Sequence, residues 1–273
     1  VPKPSCSTAR VRSADMIAVA RRKSLPGLFA GASPEFITTG CLASLRSSVM
    51  PGMQVLCRSL RWRSELQFGI VKQTSSGVKS HIMRSLLFVP ADSEKKLSKS
   101  LSAGADALIL DLEDSVAALR KPAARKLAAG FLDDMRDKAG RPRFYVRINP
   151  LDGPFWEADH EAVMSSEPDG IILPKPNSAA DVDRLAVMLD HAENGKPRTG
   201  GSTRIIAIAT ETPRAILTLS SYLEVSQRLE GLTWGAEDLS GVIGSAATRE
   251  ADGRSWTSPY RLARDMFLMT AGA

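Results

Sequence analysis

From Met83 onward the chain repeats one unit: a short apolar run, a polar residue or two at its end, then an amphipathic stretch with helical spacing. The apolar runs are Leu86 to Val89, Ala107 to Leu112, Phe144 to Asn149, Ile171 to Lys175, Ile205 to Thr210 and Leu232 to Ala236, which predicts six strands. Helices are predicted between them. In 115–131 Val116, Leu119, Ala123, Leu127 and Phe131 recur at steps of three or four, and in 179–191 Val182, Leu185, Val187 and Leu189 do the same. A further helical pattern runs from Tyr260 to Met269. Strands that alternate with helices imply a parallel sheet with right-handed crossovers. A doubly wound sheet would also satisfy the pattern, but no glycine-rich phosphate fingerprint follows the first strand, which favours a barrel.

Each run ends in charge. In order the ends carry Asp92; Asp111, Glu113 and Asp114; Arg147 and Asn149; Lys175; Glu211; and Glu237 with Asp238. In a parallel barrel the carboxyl ends of the strands form the active-site face, so these groups are expected on one rim. Glu211 and Asp238 stand in matching settings, after IIAIAT and after LTWGAE, and should face one mouth. An acid after a strand is often only a helix cap. In Thr210-Glu211-Thr212-Pro213, however, Thr212 suits the cap and Pro213 the first helical position, which leaves Glu211 without a structural duty.

Composition changes the picture in one place. The chain has 273 residues, 43% of them hydrophobic, and carries a net charge of +6. Residues 1–82 hold twelve Lys/Arg against three Asp/Glu, a charge of +9, so the remainder carries −3. The basicity therefore belongs to the leading segment and does not argue for a nucleic-acid-binding core. That segment is Ser-rich and without sustained periodicity. It is expected to be an irregular or non-native leader, with an organelle transit segment as the alternative and nucleic-acid binding ranked last. Cys6, Cys41 and Cys57 all fall in it with no zinc spacing. No apolar run approaches the ~18 residues of a membrane span. His81, His160 and His191 lie away from the strand ends, which excludes a histidine-based zinc site.

With those residues in hand, the portion from Met83 resembles the citrate lyase beta subunit and malyl-CoA lyase group of the HpcH/HpaI aldolase family. The resemblance lies in RSLLFVP (84–90), LILDLEDSV (108–116) with Lys121 and Arg125 after it, VRIN (146–149), LPK (173–175), ATET (209–212) and WGAEDL (234–239), in family order. It implies an α/β fold of the TIM (β/α)8 barrel type. It also implies a Mg2+ ion held by Glu211 and Asp238, and an Arg147 that binds the substrate carboxylate. Mg2+ takes hard oxygen ligands and commonly only one or two protein carboxylates, which agrees with that pair. The implied reaction is cleavage of a 3-hydroxyacyl-CoA such as malyl-, citramalyl- or citryl-CoA into an acyl-CoA and a 2-oxo acid. Asp111, Glu113 and Lys175 are expected to orient substrate. For Lys175 an electrostatic role suits a metal site better than a Schiff base. Lys95, Lys96 and Lys99 are expected toward the CoA phosphates, beside the plainer reading of a solvated helix face. A cytoplasmic homo-oligomer, trimer or hexamer, is implied, or a mitochondrial one if residues 1–82 are a transit segment.

Two departures qualify these expectations. Ala91 stands where the family has glycine. Residues 83–273 supply about six of the eight units of a closed barrel, short of the ~250 residues typical of the fold. The expectation is an incomplete barrel with exposed edges, exposed lining side chains on its first and sixth strands, reduced stability and little turnover. The alternative function is accordingly a remnant that binds Mg2+ with a 2-oxo acid or acyl-CoA but does not turn it over.

Overall fold

The computed structural model describes residues 54–57, 83–194 and 202–273. Its strands are β1 (Gln54–Cys57), β2 (Ser85–Pro90), β3 (Ala107–Asp111), β4 (Arg143–Arg147), β5 (Gly170–Leu173), β6 (Arg204–Ile208) and β7 (Leu229–Thr233). The helices are α1 (Glu94–Ser100), α2 (Lys121–Met135), α3 (Trp156–Met164), α4 (Ala179–Glu193), α5 (Pro213–Leu217), α6 (Glu237–Ile243) and α7 (Ser258–Gly272). β2 to β7 are parallel and lie in the sheet in chain order. A doubly wound sheet reverses its strand order partway and spreads helices over both faces; a sheet that never reverses puts every right-handed crossover on one face.

Two separate apolar clusters follow from that arrangement. Side chains alternate across a strand, so Leu87, Val89, Leu108, Leu110, Val146, Ile171, Leu173, Ile205 and Ala207 face the helices and share one core with Ala128, Val182, Leu185 and Phe267. Their neighbours Leu86, Ala107, Ile109, Tyr145, Ile172, Ile206 and Ile208 form a second cluster on the opposite face. That second face is concave. Arg143 on β4 donates to Glu230 on β7 at 2.6 and 2.8 Å, and the Tyr145 hydroxyl donates to the same carboxylate at 2.7 Å. On a flat sheet strands three apart lie about 14 Å from each other, so direct contact requires the sheet to curl.

Several expectations need correction. The last strand is Leu229–Thr233, three residues earlier than the apolar run Leu232 to Ala236 implied. Glu230 breaks the apolar pattern, yet it is buried because Arg143 and Tyr145 hold it. α2 buries Ala124, Ala128 and Leu132, one position on from the predicted stripe, and Leu119 is exposed in a 3-10 turn before the helix begins. Small alanines at a four-residue step thus form the buried stripe of this helix. Val187 on α4 is likewise exposed, and the buried stripe there is Val182, Leu185, Ala186 and Leu189.

The expected exposure of the lining on the first and sixth predicted strands is also not found: Leu86 on β2 and Glu230 on β7 are buried. Nor is the leading segment wholly irregular. β1 pairs antiparallel with β2, from Gln54 opposite Phe88 to Cys57 opposite Ser85, so that edge of the sheet is covered. The rest of residues 1–82, including His81, Cys6 and Cys41, lies outside the described residues. No described helix is long and apolar enough to cross a membrane.

Candidate active site at the carboxyl rim

Lys175 is the hub of the rim. It follows β5 with a φ of 51°, the left-handed region that residues with a Cβ enter at a cost. In that conformation its backbone N–H donates to Glu211 Oε2 at 2.5 Å. Its side chain turns the other way, placing Nζ 2.5 Å from Glu113 Oε1, 3.3 Å from Asp114 Oδ2 and 3.1 Å from Asp238 Oδ1. One residue thus contacts both acids that the sequence assigned to a common mouth. Hydrogen bonds and the charges of Glu113, Glu211 and Asp238 outweigh burial and hold the Lys175 ammonium well above the ordinary lysine range.

The loops that carry the two acids are tied together. Thr210 Oγ1 accepts from Gly235 N–H at 3.0 Å and donates to Gly235 O at 3.1 Å, and Ala209 N–H donates to Thr233 O at 2.9 Å. Thr212 caps α5 by accepting from Ala215 N–H, with Pro213 in the first turn, as the sequence predicts. Glu211 is therefore free of capping and is buried at 3% exposure. Gly235 makes room for it: a Cβ there would lie 3.1 Å from Glu211 Cγ. Burial first, and the nearby Glu113 and Asp238 charges with it, push the Glu211 carboxyl well above its usual value despite the Lys175 amide. Asp238 sits in the first turn of α6, partly exposed, where the helix dipole favours an anion.

Arg147 closes β4 on the same rim. Its Nε and one terminal nitrogen fork onto Asp111 at 2.7 and 2.6 Å, and the other terminal nitrogen lies 2.8 Å from Glu113 Oε2. The guanidinium stacks over Phe88, 4.8 Å from the ring centre. The fork towards Asp111 fixes the plane of the guanidinium and turns its remaining edge to Glu113. Burial pushes Asp111 up, but the Arg147 hydrogen bonds and charge more than offset it, so its carboxyl stays below the usual range. Glu113 ends above its usual value because burial outweighs its two cations.

A second layer of bonds supports this rim. The Lys121 ammonium, at 6% exposure, donates to Leu112 O, Glu113 O and Asn149 Oδ1 at 2.7, 2.9 and 2.8 Å. Asn149 donates through its amide to Leu112 O and to Asp159, and Arg125 Nε donates to Asp159 at 2.7 Å. These bonds fix the Leu112–Asp114 loop to β4. Asp159 has no signal in the sequence, because its position in α3 reads as an ordinary helix residue; Lys121 and Arg125 belong to the quoted motif, but their targets do not show in it.

Lys95, Lys96 and Lys99 lie on α1 and take no part in the rim ion pairs; Lys95 and Lys99 are exposed. Asp92, also expected on the rim, accepts from Arg120 at 2.8 Å. His160 and His191 are in α3 and α4, away from the rim. Among the described residues no group of three or more histidines, cysteines and acids gathers as a metal cluster. The rim offers instead two hard carboxylates on adjoining loops, with the Lys175 ammonium drawn between Asp238 and Glu113. That donor set fits an ion which takes its remaining ligands from water and substrate.

Several known proteins are similar to this chain. Citrate lyase subunit beta of Haemophilus influenzae is 36% identical over 157 residues, covering 58% of this chain and 53% of that protein. The (3S)-malyl-CoA thioesterase of Cereibacter sphaeroides is 32% identical over 166 residues, covering 61% of this chain and 53% of that protein. This chain thus spans about half the length of the relatives it matches. Among solved structures, protein CitE of Mycobacterium tuberculosis in complex with magnesium and acetoacetate superimposes with a TM-score of 0.54 at 34% identity, covering 68% of this chain and 67% of that one. The same protein has been solved with magnesium, acetoacetate and coenzyme A. Residues 84–271, from the start of the parallel sheet into α7, match the HpcH/HpaI aldolase/citrate lyase family, and the chain belongs to it.

Proposed function

We propose that this chain is a Mg2+-dependent carbon-carbon lyase that cleaves a 3-hydroxyacyl-CoA such as malyl-, citramalyl- or citryl-CoA into an acyl-CoA and a 2-oxo acid. The observation that carries the reading is the meeting of the Glu211 and Asp238 loops at Lys175, beside an arginine whose plane is fixed by Asp111. The sequential strand order and the curl of the sheet support reading the six βα units of 83–273 as part of a (β/α)8-type barrel with this rim as its mouth.

In this reading Glu211 and Asp238 hold the ion. When bound, Mg2+ supplies Lewis-acid polarisation of the carbonyl that becomes the 2-oxo acid. Arg147 takes the substrate carboxylate on the edge it shares with Glu113. Asp111 keeps the guanidinium from rotating away, and Phe88 covers its face. Lys175 offsets the repulsion among Glu113, Asp114 and Asp238, which would otherwise oppose an anionic substrate. Lys95, Lys96 and Lys99 reach the CoA phosphates from the first turns after β2, and the working unit is a homo-oligomer.

The test is direct. The purified chain with Mg2+ is offered malyl-, citramalyl- and citryl-CoA in turn, and release of acyl-CoA is followed by chromatography together with the 2-oxo acid. Slow cleavage of one of the three, abolished by Glu211→Gln and by Asp238→Asn, is the expected result. Metal and 2-oxo acid binding without cleavage of any thioester would replace the lyase by a binding function.

A further inference from the structure

We propose that Lys175 sets the metal affinity of this site, because its ammonium and the divalent cation compete for the Asp238 carboxylate. The inference rests on the metal reading above and adds a residue that opposes the metal to those that hold it. The Lys175 ammonium is 3.1 Å from Asp238 Oδ1, close enough that a cation on that carboxylate would meet its charge. A divalent ion on Asp238 and an ammonium within a few ångströms repel each other, so the two cannot both keep their best positions. Lysine carries a compact charge on a flexible four-carbon stem, and this side chain is partly exposed, so the ammonium has freedom to move while the backbone stays where it is.

Its refuge is already in contact. Glu113 Oε1 and Asp114 Oδ2 lie 2.5 and 3.3 Å from Nζ, so the ammonium can surrender Asp238 and remain paired. The backbone N–H to Glu211 is unaffected by that movement. Lys175 is therefore a positioning residue: it releases one ligand from its side chain while orienting the other with its main chain. Binding of the ion and movement of the ammonium are one coupled event, and the affinity measured for the ion is lowered by the cost of breaking the Lys175–Asp238 pair.

The test is calorimetric titration of the whole chain with Mn2+, which needs no turnover. Lys175→Met should bind Mn2+ about tenfold more tightly than wild type, the effect expected of removing a unit charge ~6 Å from a double charge in a water-like medium. Lys175→Arg should bind as weakly as wild type. Equal or weaker binding by Lys175→Met overturns the competition, while loss of binding in Glu211→Gln would still support the metal reading. If neither wild type nor Lys175→Met binds Mn2+, both readings fail. Should Lys175→Met not fold, the wild type answers by acetic anhydride labelling read by peptide mass spectrometry. Mg2+ should change the labelling of Lys175 but not of Lys126 on α2, and unchanged labelling of Lys175 under saturating metal would overturn the inference.

Discussion

Thr210 and Gly235 exchange a reciprocal pair of hydrogen bonds, the Thr210 hydroxyl accepting from the Gly235 amide at 3.0 Å and donating to its carbonyl at 3.1 Å. Each residue stands just before an acid loop, so the spacing of Glu211 and Asp238 depends on this tie. Thr210→Val keeps the shape and removes the hydroxyl. It leaves a buried amide and carbonyl without that partner, at a cost of about 1–3 kcal/mol. Thermal melts should show that loss and Mn2+ titration a weaker affinity; wild-type affinity in a destabilised Thr210→Val would detach the tie from the site.

Gly235→Ala tests the same corner by crowding. The added Cβ would meet Glu211 Cγ and Ile208 Cγ2, both at 3.1 Å, and the glutamate has the longer, unbranched side chain to displace. Overpacking of this kind typically costs 1–3 kcal/mol. The variant should melt modestly earlier but lose most of its metal affinity. A variant that melts early yet binds metal normally would show that the isoleucine yields instead.

The Arg147–Asp111 pair sets an acid limit on stability. The folded Asp111 carboxyl titrates below its unfolded value of 3.8, so the pair contributes fully above that value and its contribution is lost as pH falls through the folded one. Arg147→Met leaves Asp111 buried without its fork and should cost about 3–5 kcal/mol at neutral pH. Denaturant curves should show the gap to wild type narrowing as the pH is lowered towards 3. A gap that widens in acid would contradict the assignment.

The concave face makes a separate prediction. Gly170 has Tyr145 carbons directly above it, and a Cβ there would also lie 2.9 Å from the Arg204 carbonyl on the neighbouring strand. Backbone does not give way as a flexible side chain does. Gly170→Ala should therefore destabilise by about 2 kcal/mol or more, and Tyr145→Phe by about 1 kcal/mol for the lost bond to Glu230. If Gly170→Ala melts with wild type, the packing of Tyr145 against β5 is not as described.

The repeat and the rim were legible because each unit advertises itself twice, by an apolar run and by the charge that ends it. Asp111, Arg147, Lys175, Glu211 and Asp238 could be named because a strand end is a fixed place in a parallel sheet. What failed has a shared cause: pairing that sequence does not display. Glu230 reads as a break in a strand until Arg143 and Tyr145 reach it from across the sheet. The Lys121 brace works through main-chain carbonyls, which every residue has. The left-handed backbone of Lys175 carries no signal either, since that conformation is usually announced by glycine or asparagine.

That backbone limits what substitution can reveal. Residue 175 serves one acid with its amide and the others with its amine, and a side-chain replacement reaches only the second duty. Glycine would relax the chain at this position and asparagine would tolerate it, yet both would keep the amide proton. Only an ester in place of the Pro174–Lys175 peptide link, made by semisynthesis, would silence the main-chain contribution while leaving the amine at its post.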